Sequence, residues 1–181
     1  MNLIAHRGYS NLAPENTISS FDLAISNGFK IFELDVQLTK DNVPIIFHDY
    51  DLNRICKLDL NIKDLEYKYL SKLDAGSWFD KKFSDQKIPT FENILKKYIH
   101  KVHLQIELKS HEKDLADIVI NKLKKFNWYN FVGKPYEVPG YSVTSFDFNN
   151  LVNVRKLSKS IRVGWLLSID REDVQTIKKM L

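Results

Sequence analysis

Four short apolar runs in this chain end in ionisable side chains: His6-Arg7, Glu33 with Asp35, His48, and Glu107 with Lys109. Residues two apart on a strand share a face, so Glu33 and Asp35 project together, and so do Glu107 and Lys109. A fold core does not choose such groups, because buried charge is costly unless it is paired or bound to metal. The chain therefore has to place these runs side by side, with their polar ends converging.

The rest of the sequence supplies an architecture that does this. Strand runs at Asn2–Ala5, Lys30–Val36, Val43–Phe47, His103–Leu108, Tyr141–Ser145 and Arg162–Leu167 alternate with helical periodicity. Ile18, Phe21 and Ile25 share one helical face, and Gly28 is placed to end that helix. Thr90 is an N-cap for a helix burying Ile94, Leu95 and Tyr98. Leu115, Ile118, Val119 and Leu123 form another stripe, and further helices are expected near Asn149–Leu157 and Arg171–Met180. Alternating β and α units predict a parallel sheet covered by helices, open or closed as a barrel. Both forms bind ligands at the carboxyl ends of the strands, where all seven polar residues fall.

Between about 50 and 88 the pattern breaks. The stretch is too long for an ordinary connection and predicts an insertion over the site, with one short helix at Leu65–Leu73. Its aromatic segment, Gly76-Ser77-Trp78-Phe79, suits either an apolar lid or packing within the insertion. Asn127–Pro139 reads as a loop.

Composition narrows the function classes. A formal charge of +4, spread along 181 residues, suits a small anion and is too weak and scattered for nucleic acid. No apolar run approaches the roughly 20 residues that span a bilayer, and no signal peptide precedes His6. The single cysteine, Cys56, suits a reducing compartment, so a cytoplasmic location is expected.

Glu33, Asp35 and Glu107 offer only oxygen ligands, which selects one hard divalent cation, Mg²⁺ or Ca²⁺. Arg7 and Lys109 add fixed positive charge, so the site is suited to a bridging anion, most simply a phosphate. His6 and His48 are available as a proton acceptor and a proton donor. Phe146, at the end of the fifth strand run, is placed to line the pocket. Asn16 or Thr17 caps the first helix, and Glu15 serves either the site or the helix dipole. His100, His103 and His111 read as surface or second-layer residues.

The runs His6–Phe21, Glu33–Asp49, Asp74–Asn93 and Ile106–Lys109 together resemble the glycerophosphodiester phosphodiesterase family, with weaker agreement at Ser145-Phe146 and Gly164–Leu167. The resemblance implies a TIM-type barrel and metal-dependent hydrolysis of glycerophosphodiesters to glycerol 3-phosphate and an alcohol. It also implies His6 and His48 as the acid/base pair, Glu33, Asp35 and Glu107 as metal ligands, and Arg7 and Lys109 as phosphate contacts. Such barrels have eight βα units and about 250 residues. Six strand runs in one domain predict an open or gapped barrel lacking the last two units, prone to self-association through its edges. Two other readings are a phospholipase D-like enzyme acting on phospholipid head groups, and a remnant that binds metal and phosphate without turnover.

Overall fold

A computed structural model describes residues 2–132 and 135–168. Its elements run β1 (Ile4–His6), α1 (Ile18–Ser26), β2 (Ile31–Leu38), β3 (Pro44–Ile46), α2 (Asn53–Cys56), α3 (Tyr67–Leu70), α4 (Phe91–Tyr98), β4 (His103–Leu108), α5 (Leu115–Lys125), β5 (Gly140–Ser145), α6 (Phe148–Leu157) and β6 (Val163–Trp165). The expected helix Arg171–Met180 lies outside the described residues.

The parallel ladder runs β1-β2-β4-β5-β6, and its strands are joined in turn through α1, α4, α5 and α6. Among the described residues this is a TIM-type arrangement left open, with β1 and β6 at its two ends. One strand departs from the sequence expectation. The run Val43–Phe47, read as part of the parallel sheet, yields β3, which pairs antiparallel with β2 through Val36↔Ile46 and Leu38↔Pro44. The physical reason is length. Only residues 39–43 separate the two strands, whereas a parallel return needs a crossover of a dozen or more. Five described strands, not six, therefore belong to the barrel ladder.

Alternation sorts β2 cleanly. Phe32, Leu34, Val36 and Leu38 join the main apolar core, with Phe21 and Ala24 of α1, Ile94 and Tyr98 of α4, and Val119 and Leu123 of α5. Glu33, Asp35 and Gln37 therefore project to the opposite face. β2 is buried along its whole length because β1 and β3 share one edge and β4 takes the other.

The caps follow sequence chemistry. Thr17, not Asn16, caps α1, accepting from the Ser20 amide. Thr90 and Asn93 form a reciprocal capping box on α4. The insertion has its own apolar cluster, including Phe47, Leu52, Ile55, Ile62 and Leu70, and Trp78 packs against it. Its expected helix at Leu65–Leu73 shortens to α3, four residues long. Trp128 lies in the stretch read as a loop yet is wholly buried, donating from Nε1 to the Leu95 carbonyl at 2.9 Å.

Candidate active site

Strand register builds the site. His6 lies opposite Glu33, and Asp35 lies opposite Glu107, so three carboxylates and one imidazole meet at the carboxyl ends of β1, β2 and β4. One oxygen from each of Glu33, Asp35 and Glu107 lies within 4.8 Å of the others. All three residues are buried, Asp35 to 1% exposure. Glu33 Oε1 and Asp35 Oδ1 are buried and accept no hydrogen bond from the described residues. Buried carboxylate oxygens left without donors are costly. An all-oxygen set with two such oxygens fits a hard divalent cation.

Two cations flank the carboxylates. The Arg7 guanidinium places Nε 3.3 Å from Asp35 Oδ2 and donates from Nη1 to Glu15 Oε1 at 3.1 Å. Its backbone amide donates to Glu33 Oε2 at 3.0 Å. Arg7 has a left-handed φ of 57°, followed by Gly8 at 82°. That turn folds the chain back after β1, and glycine is required at its second position: a Cβ there would collide with Ser20 Oγ and the Ser20 backbone. Lys109 Nζ donates to Glu107 Oε1 at 3.1 Å and lies 4.0 Å from Asp35 Oδ1.

Burial and mutual repulsion set the protonation of the carboxylates. Burial first, and then the Asp35 charge, push the Glu33 carboxyl up to about 8. The same two causes raise Glu107. Partial burial of the ring, and then the Arg7 charge, hold His6 below the ordinary imidazole range. For Asp49, burial acts upward but is outweighed by hydrogen bonds from Arg54 and His48, so the group stays below the usual carboxylate range.

The two histidines differ in their support. His6 is largely exposed, with Nε2 3.7 Å from Glu33 Oε2. His48 is tied down: its Nδ1 lies 2.7 Å from Asp49 Oδ1. With Asp49 ionised, Nδ1 is the donor, and Nε2 is left for proton exchange. Gln37 Nε2 donates to the carbonyls of Phe47 and Asp49 at 2.7 and 2.8 Å, fixing the His48 segment to β2. Asn16, nearly fully buried, donates from Nδ2 to Asp35 Oδ2 at 2.8 Å.

All seven residues singled out from the sequence come together. An open cleft of about 1140 Å³ is lined by His6, Arg7, Glu33, His48, Glu107 and Lys109. Phe146 also lines it, with Lys109 Nζ 5.7 Å from its ring centroid. Trp78 is not among the lining residues. It lies beneath the Arg54 guanidinium, 5.5 Å away, so packing within the insertion describes it better than a lid. Glu15 proves to serve the site by pairing with Arg7. Gln37 was missed, although it is the next residue after Glu33 and Asp35 on the same strand face. Asn16 was missed as a site residue because it competed with Thr17 as a cap.

The class so defined is an open α/β barrel with an acidic, cation-flanked centre at the carboxyl ends of its strands. The chain belongs to the glycerophosphoryl diester phosphodiesterase family, which matches residues 6–180. A glycerophosphodiester phosphodiesterase of Caldanaerobacter subterraneus subsp. tengcongensis is 34% identical over 165 residues, covering 91% of this chain and 65% of that protein. Among solved structures, an Oleispira antarctica phosphodiesterase in complex with the product sn-glycerol-3-phosphate superposes with a TM-score of 0.83 at 32% identity, covering 99% of this chain and 71% of that one. The glycerophosphodiester phosphodiesterase of Agrobacterium tumefaciens gives 0.79 at 26% identity, covering 90% and 65%. The chain spans 48–65% of the length of the curated relatives it matches first.

Proposed function

We propose that this protein hydrolyses glycerophosphodiesters to glycerol 3-phosphate and an alcohol, using one divalent cation, Mg²⁺ or Ca²⁺. The observation that carries the reading is the buried Glu33-Asp35-Glu107 set, with two oxygens lacking donors, flanked by Arg7 and Lys109 in one cleft with His6 and His48. In this reading the three carboxylates hold the cation, which would draw electron density from the phosphoryl oxygens. Arg7 offers a planar fork to the phosphate and Lys109 a point charge.

One imidazole takes the proton from the substrate's own 2-hydroxyl as that oxygen attacks phosphorus. The other gives a proton to the departing alcohol. A cyclic phosphate remains, and attack by water with the proton roles exchanged opens it to glycerol 3-phosphate. The Asp49 contact keeps the His48 ring in one tautomer through both steps. A cytoplasmic setting belongs to the same proposal, supported by the lone Cys56; among the described residues, no helix is long and apolar enough to cross a membrane.

The test is release of glycerol 3-phosphate from glycerophosphocholine by purified protein, with and without divalent cation. Turnover should need the cation. His48→Ala and His6→Ala should each lower it by roughly 10²–10⁴, the usual scale for general acid–base catalysis, while cation binding persists. Cation and phosphate binding without turnover of glycerophosphocholine would refute this reading and leave the phospholipid head-group and remnant readings.

A further inference from the structure

One side chain of the insertion does not line the cleft but binds two carboxylates that hold residues which do. Arg54, on α2, uses all three guanidinium nitrogens on two carboxylates. Nε and Nη2 donate to Asp49 Oδ2 and Oδ1 at 2.7 and 3.2 Å. Nη1 and Nη2 donate to Glu15 Oε2 and Oε1 at 2.9 and 2.7 Å. Each carboxylate has a second partner. Asp49 holds the His48 ring, and Glu15 holds the Arg7 guanidinium. From beneath, Trp78 lies 5.5 Å from the Arg54 carbon that joins the three nitrogens.

We propose that Arg54 is a positioning residue for catalysis, bracing at once the carboxylate that orients His48 and the carboxylate that orients Arg7. The inference rests on the diesterase reading above, since it gives His48 and Arg7 their roles. The geometry supports it in two ways. Two bidentate forks use four of the five guanidinium N–H donors, an arrangement that no other cationic side chain can reproduce. The Arg54 side chain is 42% exposed, and exposed ion pairs add only about 0–1 kcal/mol to stability, so holding the fold together is a poor account of four aligned hydrogen bonds. Aim is the better account. Without Arg54 both carboxylates lose their bidentate partner, and His48 and Arg7 can swing with them.

The insertion thereby gains a part in the chemistry. Its apolar cluster anchors α2 through Ile55, and Trp78 supports the guanidinium from the same body. Proton transfer and phosphate binding, separate jobs on separate strands, are set by one residue outside the barrel ladder.

The test uses the full chain with ¹⁵N-labelled histidine. Five histidines make the ring signals few enough to assign. Arg54→Gln should move the His48 ring signal away from a single Nδ1–H tautomer and weaken binding of inorganic phosphate, with little change in melting midpoint. Glycerophosphocholine turnover should fall about 10–100-fold, the usual effect of removing a group that orients a site residue, and Arg54→Lys should lie between. In an Asp49→Asn background the same change should cost much less turnover, since part of its effect passes through Asp49. An unchanged His48 ring signal together with unchanged phosphate affinity would overturn the proposal, as would a turnover loss fully additive with Asp49→Asn. If Arg54→Gln does not fold, Arg54→Lys keeps the charge and the stem over Trp78, and the same ring and phosphate readings decide. Absence of wild-type turnover would defeat the diesterase reading alone, because ring signal and phosphate affinity are read without catalysis.

Discussion

Raising the pH on metal-free protein should destabilise it, and Glu33 should account for much of the loss. A carboxyl whose folded value is raised contributes stability that is full below its ordinary value and lost as pH climbs through the folded one. For Glu33 that window runs from 4.5 to about 8. Each power of ten in proton affinity corresponds to about 1.4 kcal/mol, so the whole interval corresponds to just under 5 kcal/mol. Local relaxation and water entry around an open cleft reduce this, and a loss of about 2–4 kcal/mol between pH 5 and pH 8 is expected. In a domain of this size that is a fall in melting midpoint of roughly 4–16 °C. The assay is thermal unfolding in chelator at several pH values, comparing wild type with Glu33→Gln. The substitution should flatten the slope and leave the variant more stable than wild type at pH 8. Parallel slopes for the two proteins would refute the reasoning, because the repulsion assigned to Glu33 would lie elsewhere.

Other outcomes follow from the same geometry. Calorimetric titration with Mg²⁺ or Ca²⁺ at pH 7, run in buffers of different ionisation heat, should reveal proton release that disappears in Glu33→Gln; Asp35→Asn should abolish binding. Gly8→Ala should lower the melting midpoint by roughly 5 °C or more, since it imposes both a left-handed φ and a collision with Ser20; a neutral result would show that the turn can shift. Edges of β1 and β6 that are unpaired among the described residues, with Leu3, Phe146 and Phe148 exposed nearby, should produce concentration-dependent sedimentation, and a single monomeric boundary at all concentrations would count against it.

What the sequence revealed depended on periodicity. Alternation along β2 says which face Glu33 and Asp35 share, and the runs ending at His6 and Lys109 say which strands adjoin them, so the seven-residue constellation was legible. Direction of pairing was not read from alternation, although the short link between Leu38 and Pro44 was sufficient to exclude a parallel return. Support groups were harder to see. Asn16, Glu15 and Arg54 come from loops and the insertion, where no period exists, and their partners are fixed only by tertiary approach. Trp128 sits among Asn, Gly and Pro residues that say turn, and its burial depends on a carbonyl of α4 that local sequence does not specify.

The position of β2 has a dynamic consequence. Flanked on both edges and buried throughout, it should be the last part of the sheet to open, so Glu33 and Asp35 stay registered while the ends of the ladder fray. The two ends are not equivalent in this respect. Fraying of β6 disturbs none of the seven residues, but β1 carries His6 and leads into Arg7. Opening of that one short strand would switch proton transfer off while leaving the carboxylate cluster assembled, and amide exchange at Ile4–His6 can read how often it occurs.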